Sequence, residues 1–242
     1  MEEAWTFISG QPKTGMLIIA DHASSYVPPD IDLGVAPELL TKHVAVDLGV
    51  AALSSALNEQ IGIPAILGGV SRLVIDLNRE EDAHQLIPTA SDGHVIPGNA
   101  VGEMDRDARV NRFWRPYHGE VARLVASTKP VLLVSLHSFT PQLEAEPDVE
   151  RPWEVGILYN EDDRAARIAL RLLSLAGINV GDQLPYSGKL LNATMNHHGE
   201  RNGIAYLGIE MRQDLLANEE SVAHWSGVLG AVLIACRDGV RH

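Results

Sequence analysis

This 242-residue chain contains a single cysteine, Cys236, which lies in the apolar stretch GVLGAVLIACR. One cysteine cannot form an intramolecular disulfide, and it excludes a metal site built from several thiolates. Proteins with so little cysteine are typical of a reducing compartment, so we expect a cytoplasmic location.

Positive charge is also scarce, because 19 lysines and arginines stand against 32 acidic residues and give a formal net charge of -13. Phosphate backbones and anionic membranes attract basic surfaces, so this balance argues against nucleic acid or a membrane as a partner. No apolar run approaches the roughly 18 residues of a membrane span, and MEEAWTFISG lacks a basic region followed by an apolar one. We therefore expect a soluble, unexported protein that binds a small molecule, and the oligomeric state stays open.

Several common catalytic motifs are missing. The segment GVSRL at 69–73 lacks the second glycine of a nucleophile elbow, and the chain has no Walker lysine loop and no H-E-x-x-H. These absences turn attention to polar groups at the ends of strands.

Short apolar runs alternate with helix-like patterns along the chain. The predicted strands are Leu17–Ala20, Ala65–Leu67, Leu73–Ile75, Val131–Leu136, Val155–Tyr159 and Tyr206–Glu210. The predicted helices are Ala45–Glu59, Glu103–Ala126, Asp162–Ala176 and Glu219–Arg237, with Gly62 and Gly177 as C-caps of two of them. This alternation favours one α/β domain over residues 1–242, a three-layer α/β/α arrangement with a mainly parallel mixed sheet.

Three long polar segments interrupt the alternation: Glu80–Gly102, Thr140–Pro152 and Gly181–Gly203. Loops of this length in a compact domain are typically binding loops or lids. We expect them to surround the site.

Four of the apolar runs end at polar groups suited to catalysis. LIIADH ends at His22, SRLVIDLNR at Asn78 and Arg79, VLLVSLH at His137, and YLGIEMR passes through Glu210. Ligands of open α/β sheets bind outside the carboxyl ends of the strands, so these groups should converge. Two histidines, guanidinium groups and a glutamate predict a metallohydrolase.

His22 and His137 are the predicted metal ligands, and zinc is the metal that suits such nitrogen ligands. Asp47 in KHVAVDLG is the candidate third ligand, although a carboxylate at that place can equally interact with a helix dipole. Ser25 is a weaker alternative, because a neutral hydroxyl binds zinc poorly.

On an extended strand Arg72, Val74, Asp76 and Asn78 would share one face, with Arg79 at the strand end. Arg79 and Asn78 are then suited to hold a substrate carboxylate, and Arg72 to polarise a carbonyl or stabilise an oxyanion. The alternative is a buried Arg72–Asp76 ion pair beside an exposed turn.

Glu210 is the predicted general base, with a salt bridge to Arg212 as the alternative. The loop before this strand contributes Tyr186, His197 and His198, of which Tyr186 is assigned with Arg212 to substrate binding and His198 to proton transfer. Loop histidines otherwise face solvent. Three further charges, Asp105, Asp107 and Arg109, are expected to be surface or helix-dipole groups.

Taken together, five segments resemble the N-formylglutamate amidohydrolase family: DHASSYVP, HVAVDLGVAAL, GGVSRLVIDLNR, SLHSFTP and HHGERNGIAYLGIEMRQDL. The resemblance implies a zinc carboxypeptidase-like fold and distant kinship with aspartoacylases. It also implies hydrolysis of the formyl-amide of an acidic amino acid, releasing formate and glutamate.

By the same resemblance, His22 and His137 correspond to metal ligands and Glu210 to the general base. Asn78 and Arg79 would grip a substrate carboxylate, and Arg72 would polarise the carbonyl. The carboxypeptidase and aspartoacylase pattern has Glu three residues after the first His, where this chain has Ser25. Asp47 therefore completes the metal site, or the site is weaker than in those relatives.

Two other functions remain open from the sequence. One is a deacylase or carboxypeptidase-like hydrolase that acts on a different N-acyl amino acid or a short peptide. The other is a non-catalytic protein that binds an acidic metabolite.

Overall fold

The structure, a computed structural model, describes residues 4–241. Its strands are β1 (Trp5–Ile8), β2 (Met16–Ala20), β3 (Ala65–Gly68), β4 (Ala90–Ser91), β5 (His94–Val95), β6 (Leu132–Phe139), β7 (Val155–Leu158), β8 (Val180–Asp182) and β9 (Ala205–Arg212). Its helices are α1 (Val50–Ile61), α2 (Glu103–Arg109), α3 (Arg115–Thr128), α4 (Arg164–Leu175), α5 (Ala193–His198) and α6 (Glu219–Gly239).

Seven strands form one sheet in the order β1-β3-β2-β6-β9-β7-β8. The four central strands, β3, β2, β6 and β9, are mutually parallel, while β1 pairs antiparallel with β3 and β7 pairs antiparallel with β9. The remaining strands, β4 and β5, form a separate hairpin. The predicted mainly parallel mixed sheet is confirmed.

Both faces of the sheet are covered. Residues of α1, α4 and α6 pack against one face, among them Leu53, Ala169 and Leu229. On the other face lie α3, α5 and irregular segments, with Val121 and Met195 in the core. The predicted three-layer α/β/α arrangement is therefore correct. None of the helices within residues 4–241 is long and apolar enough to span a membrane.

The alternation of side chains along β6 decides which face carries the site. Val134 and Leu136 belong to the core under α1, α4 and α6, and Leu133 belongs to the opposite core. Because successive strand residues point to opposite faces, Ser135 and His137 share the face of Leu133. In the adjacent β9, Glu210 lies in register with His137.

The strand predicted at Leu73–Ile75 is wrong. Leu73 and Val74 lie in a turn and Ile75 in irregular backbone, and all three are fully buried instead of alternating. Side chains replace the missing strand partners, because Asn99 donates to the carbonyl of Leu73 and Arg109 to that of Val74. An apolar run fits an irregular buried segment when its backbone groups find such partners. Arg109 is thus a buried structural group, which corrects its prediction as a surface charge.

The first helix begins later than predicted. Gly49 adopts a left-handed conformation with φ of 82°, so α1 starts at Val50 and not at Ala45. A Cβ at Gly49 would lie 2.3 Å from Leu216 Cβ, which requires glycine at this contact. Asp47 consequently belongs to the loop that precedes the helix. At the other end, Gly62 caps α1 as predicted.

The predicted helix at Glu103–Ala126 contains a π-helical turn, Val110–Trp114, between α2 and α3.

On α3, His118 is buried, and its Nε2 lies 2.9 Å from the carbonyl oxygen of Leu77. Its Nδ1 lies 3.0 Å from Nε2 of His198 on α5. A carbonyl oxygen only accepts, so Nε2 of His118 carries the proton of the neutral ring. Nδ1 of His118 therefore accepts a hydrogen bond from Nε2–H of His198.

This pair resists protonation. Burial lowers the pKa of His118 to about 4 and that of His198 to about 3. Between these values and the ordinary pKa of about 6.5, each imidazole is neutral in the folded protein but protonated in the unfolded chain. We therefore expect the free energy of unfolding to fall as pH drops below about 6.5, by roughly 2 kcal/mol per imidazole at pH 5.

A His198→Gln variant tests this prediction, since glutamine keeps a donor near the position of Nε2 but does not titrate. Urea unfolding at pH 7 and pH 5 should show the stability loss reduced by roughly 2 kcal/mol relative to the wild type. The exposed His84→Gln is the matched control. An unchanged pH dependence in His198→Gln would contradict the assignment.

Candidate functional site

A cavity of about 410 Å³ opens at the carboxyl ends of the central strands. Eight side chains that the sequence assigns to the site line it, together with Asp76. The eight are His22, Asp47, Arg72, Asn78, Arg79, His137, Tyr186 and Glu210. The structure thus brings together eight of the ten residues that the sequence assigned to the site.

Two strands and one loop place the histidines and Asp47. His22 follows β2 by two residues, and His137 lies near the end of β6. The backbone N–H of Asp47 donates to the carbonyl of His22 at 2.9 Å, which ties the loop before α1 to the end of β2. All three side chains are buried.

The Nδ1 atoms of both imidazoles face one carboxylate oxygen. Asp47 Oδ2 lies 2.9 Å from His137 Nδ1 and 3.4 Å from His22 Nδ1. The backbone N–H of Ser138 also donates to this oxygen. Asp47 therefore faces the histidines, and its side chain caps no helix.

Each imidazole has a polar partner on its other side. Nε2 of His22 lies 2.7 Å from Asp76 Oδ1. Nε2 of His137 lies 3.1 Å from Ser135 Oγ and 3.5 Å from Asp21 Oδ2. Carboxylates behind histidine ligands fix the ring orientation and the tautomer in metal sites.

The electrostatics of this cluster favour positive charge. Burial lowers the pKa of His137, but the nearby carboxylates of Asp21 and Asp47 raise it well above the ordinary value. Burial and the charge of Arg72 lower the pKa of His22, while Asp76 and Asp47 raise it by more. The carboxylates that stabilise two protonated imidazoles would equally stabilise the charge of one divalent cation. The acidic surroundings therefore suit such an ion.

The geometry also fits a metal. The donor atoms of His22, Asp47 and His137 all lie within 4.8 Å of one another. Tetrahedral zinc, with bonds of about 2.0–2.2 Å, separates its ligand atoms by roughly 3.3 Å, close to the 2.9 and 3.4 Å observed. The buried Nδ1 of His22 makes no hydrogen bond within the described residues. The three residues form a potential metal-binding site.

Glu210 projects into the cavity beside this cluster. The strand partner of Glu210 on β7 is Gly156, where a Cβ would lie 3.2 Å from Glu210 Cβ and 2.3 Å from Leu184 O. Glycine is therefore required there. Within residues 4–241, Oε2 of Glu210 has no hydrogen-bond partner, and burial raises the pKa of this carboxyl to about 7. A carboxyl with this environment is suited to proton transfer near neutral pH.

The turn segment after β3 supplies the cationic side of the cavity. Arg72 donates to Asp47 Oδ1 at 3.3 Å and to Asp76 Oδ2 at 2.9 Å, so the Arg72–Asp76 ion pair considered from the sequence is present. Arg72 nevertheless lines the cavity, as does Arg79, whose Nε lies 3.6 Å from Asp76 Oδ2.

Asn78 presents its amide nitrogen to the site. Its Oδ1 accepts a hydrogen bond from the backbone N–H of Thr194 at 3.0 Å, which leaves Nδ2 on the side of His137. A donor is therefore available to an anionic ligand.

Tyr186 also lines the cavity, in the long loop after β8. Nη1 of Arg151 donates to its hydroxyl at 2.9 Å, and the guanidinium lies 5.1 Å from the ring centroid. Since the phenol oxygen accepts from Arg151, its own proton is free to be donated.

Two assigned residues do not line the cavity. His198 belongs to the helix α5 and not to a loop, and it is buried against His118. Arg212 forms a salt bridge with Asp214 at 2.8 Å instead of the Glu210–Arg212 pair considered from the sequence.

The two weaker candidates also lie outside the cavity lining. Ser25 is exposed, and His197 contacts Arg201.

The sequence does not predict several side chains that support the site. The sequence predicts Asp76 only as a partner of Arg72, yet Asp76 also contacts His22. Asp21 and Ser135 lie behind His137, and Arg151 holds Tyr186. The available signals were the acidic residue next to His22 in ADH and the serine two residues before His137.

Comparison with known proteins gives a family match over most of the chain. The sequence profile of the N-formylglutamate amidohydrolase family matches residues 14–217. An N-formylglutamate deformylase of Pseudomonas aeruginosa is 29% identical over 153 residues, which cover 57% of this chain and 56% of the deformylase. The match thus spans little more than half the length of that curated relative.

Two solved structures are similar over nearly their whole length. A gene product of Agrobacterium tumefaciens has a TM-score of 0.92 and 29% identity, covering 99% of this chain and 97% of the other. The N-formylglutamate amidohydrolase of Ralstonia eutropha has a TM-score of 0.69 and 21% identity, with 98% of both chains covered, and shares the fold. With the family profile matched from residue 14 to residue 217, the chain belongs to the N-formylglutamate amidohydrolase family.

Proposed function

We propose that this protein is a zinc-dependent amidohydrolase that removes the formyl group from N-formyl-L-glutamate or a closely related small N-acyl acidic amino acid. The observation that carries the proposal is the convergence of three metal-ligand atoms with Glu210 and two arginines in one cavity. The family match and the name of the Pseudomonas relative support the choice of substrate.

His22, Asp47 and His137 would hold the ion. When bound, zinc supplies positive charge that polarises the scissile carbonyl and lowers the pKa of a water molecule. Asp76 keeps the Nε2 proton of His22, which leaves Nδ1 free to bind.

Glu210 moves the proton. Its Oε2 takes a proton from the attacking water and returns it to the leaving nitrogen when the amide C–N bond breaks. Water thus adds across the amide, and the products are formate and the free amino group of glutamate. The raised pKa of Glu210, about 7, matches a group that must both accept and release a proton near neutrality.

The cationic wall binds and orients the substrate. Arg72 keeps N–H donors beyond those it gives to Asp47 and Asp76, and these stabilise the oxyanion. Arg79 and Asn78 anchor a carboxylate, and Tyr186 is a further donor in the cavity lining. Holding groups away from the reacting bond positions the scissile amide.

The acyl group is the least constrained part of the substrate. Phe139, Leu143 and Leu191 add an apolar surface to the cavity, which leaves a larger acyl group as the second candidate. A panel of N-formyl, N-acetyl and N-succinyl glutamate, assayed with and without added zinc, distinguishes the two. Preference for the formyl compound is expected.

Replacing Glu210 with Gln should abolish turnover while preserving binding. Glutamine keeps the shape but cannot accept a proton, so kcat should fall roughly 10²–10⁴-fold. Zinc content and glutamate binding, measured by calorimetry, should stay near wild type. The exposed Glu59→Gln on α1 is the matched control.

A Glu210→Gln variant that retains more than about a tenth of wild-type kcat would remove Glu210 as the general base. A wild-type protein that binds zinc and glutamate but hydrolyses none of the panel would support the non-catalytic binder instead.

Loss of a metal ligand should remove zinc and activity together. We expect His22→Ala, His137→Ala and Asp47→Asn each to lower zinc affinity at least about 10²-fold, because two remaining ligands hold zinc poorly. Zinc is measured by atomic emission after dialysis, and folding by circular dichroism. His43→Ala, a cavity histidine that contacts Asp92 at 2.9 Å, should keep its zinc. Full occupancy in the first three variants would exclude this site.

Arg79→Lys tests carboxylate binding. Lysine keeps the charge but not the planar two-point donor, so KM for N-formylglutamate should rise about tenfold with a smaller change in kcat. The exposed Arg123→Lys is the control. If Arg79→Lys has a wild-type KM for both N-formylglutamate and a formyl-amino acid amide, Arg79 does not bind the carboxylate.

A further inference from the structure

Asp21 is a fully buried carboxylate that the proposed mechanism does not use. It directly follows β2 and precedes His22, and its relative exposure is 0%. Its Oδ1 accepts a hydrogen bond from the hydroxyl of Tyr117 at 2.8 Å. Its Oδ2 makes no well-aligned hydrogen bond within residues 4–241.

A buried carboxylate requires a compensating group, since an unpaired charge in the interior is strongly destabilising. Within the described part of the chain, no lysine or arginine forms a salt bridge with Asp21. Its cationic neighbour is Nε2 of His137, 3.5 Å from Oδ2. Asp21 therefore faces Nε2 of His137, just as Asp76 faces Nε2 of His22.

The proton on His137 must then occupy Nε2. Nδ1 faces Asp47 Oδ2 at 2.9 Å, on the side where the three ligand atoms converge. An imidazole that gives the Nδ1 lone pair to a metal carries its proton on Nε2 and needs an acceptor there. Asn78 cannot accept it, because the atom near Nε2 is the amide nitrogen.

Two acceptors compete for that proton. Ser135 Oγ is nearer, at 3.1 Å, but a hydroxyl both donates and accepts and so selects no tautomer. An ionised carboxylate only accepts. We propose that Asp21, held by Tyr117, is the positioning residue that keeps the proton of His137 on Nε2 and presents Nδ1 to the metal ion.

This inference rests on the proposed metal site, and its test is zinc affinity, measured by competition with a chelator. In Asp21→Asn, which keeps size and the contact with Tyr117, the Kd for zinc should rise about 10–100-fold. In Ser135→Ala, the matched control for the competing acceptor, the change should stay within about threefold. The apo forms are compared by thermal unfolding, so that a folding defect is recognised.

A spectroscopic readout separates positioning from packing. In the zinc-loaded wild type, the Nε2–H proton of His137 should appear downfield and exchange slowly, because it bonds to a carboxylate. Asp21→Asn should shift it upfield, which a purely structural role would not do. If Asp21→Asn fails to fold, Tyr117→Phe serves instead and should raise the Kd several-fold.

The outcomes distinguish the two proposals. If the wild type binds no zinc, both the metal site and the role of Asp21 are overturned. If the wild type binds zinc and Asp21→Asn binds it equally well with the same Nε2–H resonance, only the role of Asp21 is overturned. A larger loss of affinity in Ser135→Ala than in Asp21→Asn would assign that role to the serine.

Discussion

The contact between the Asp47 carboxylate and the two imidazoles is the interaction on which the site depends. Asp47 is buried, and its oxygens meet His137, His22, Arg72 and the backbone N–H of Ser138. A carboxylate removed from water is tolerable only with such partners, because its desolvation costs several kcal/mol. The loop that carries Asp47 is in turn fixed by its backbone hydrogen bond to His22.

Further carboxylates compensate the positive charges around this contact. Asp76 pairs with His22 and Arg72, and Asp21 stands behind His137. Each imidazole and each arginine of the cluster thus contacts a carboxylate, and these contacts hold the imidazole rings in place. Preorganisation of this kind avoids reorganisation when charge develops during a reaction.

The sheet supplies the rigidity that these contacts need. Four parallel strands end at the same edge, so side chains distant in sequence meet there. Alternation along β6 and β9 places Ser135, His137 and Glu210 on one face, and Gly156 leaves space beside Glu210. The geometry of the candidate site is therefore a consequence of strand register.

The sequence by itself determined the layered fold and the meeting of His22, His137 and Glu210 at one edge of the sheet, because strand and helix periodicities are local and strand ends can be located from them. It failed at Leu73–Ile75, where a continuously buried run resembles a strand but obtains its hydrogen bonds from Asn99 and Arg109. Only the tertiary structure showed that Asp47 faces the two histidines and does not cap a helix. It also placed His198 and Arg212 away from the cavity and Asp21 behind His137. These are contacts between residues far apart in the chain, and no local pattern encodes which partner a buried charge will meet.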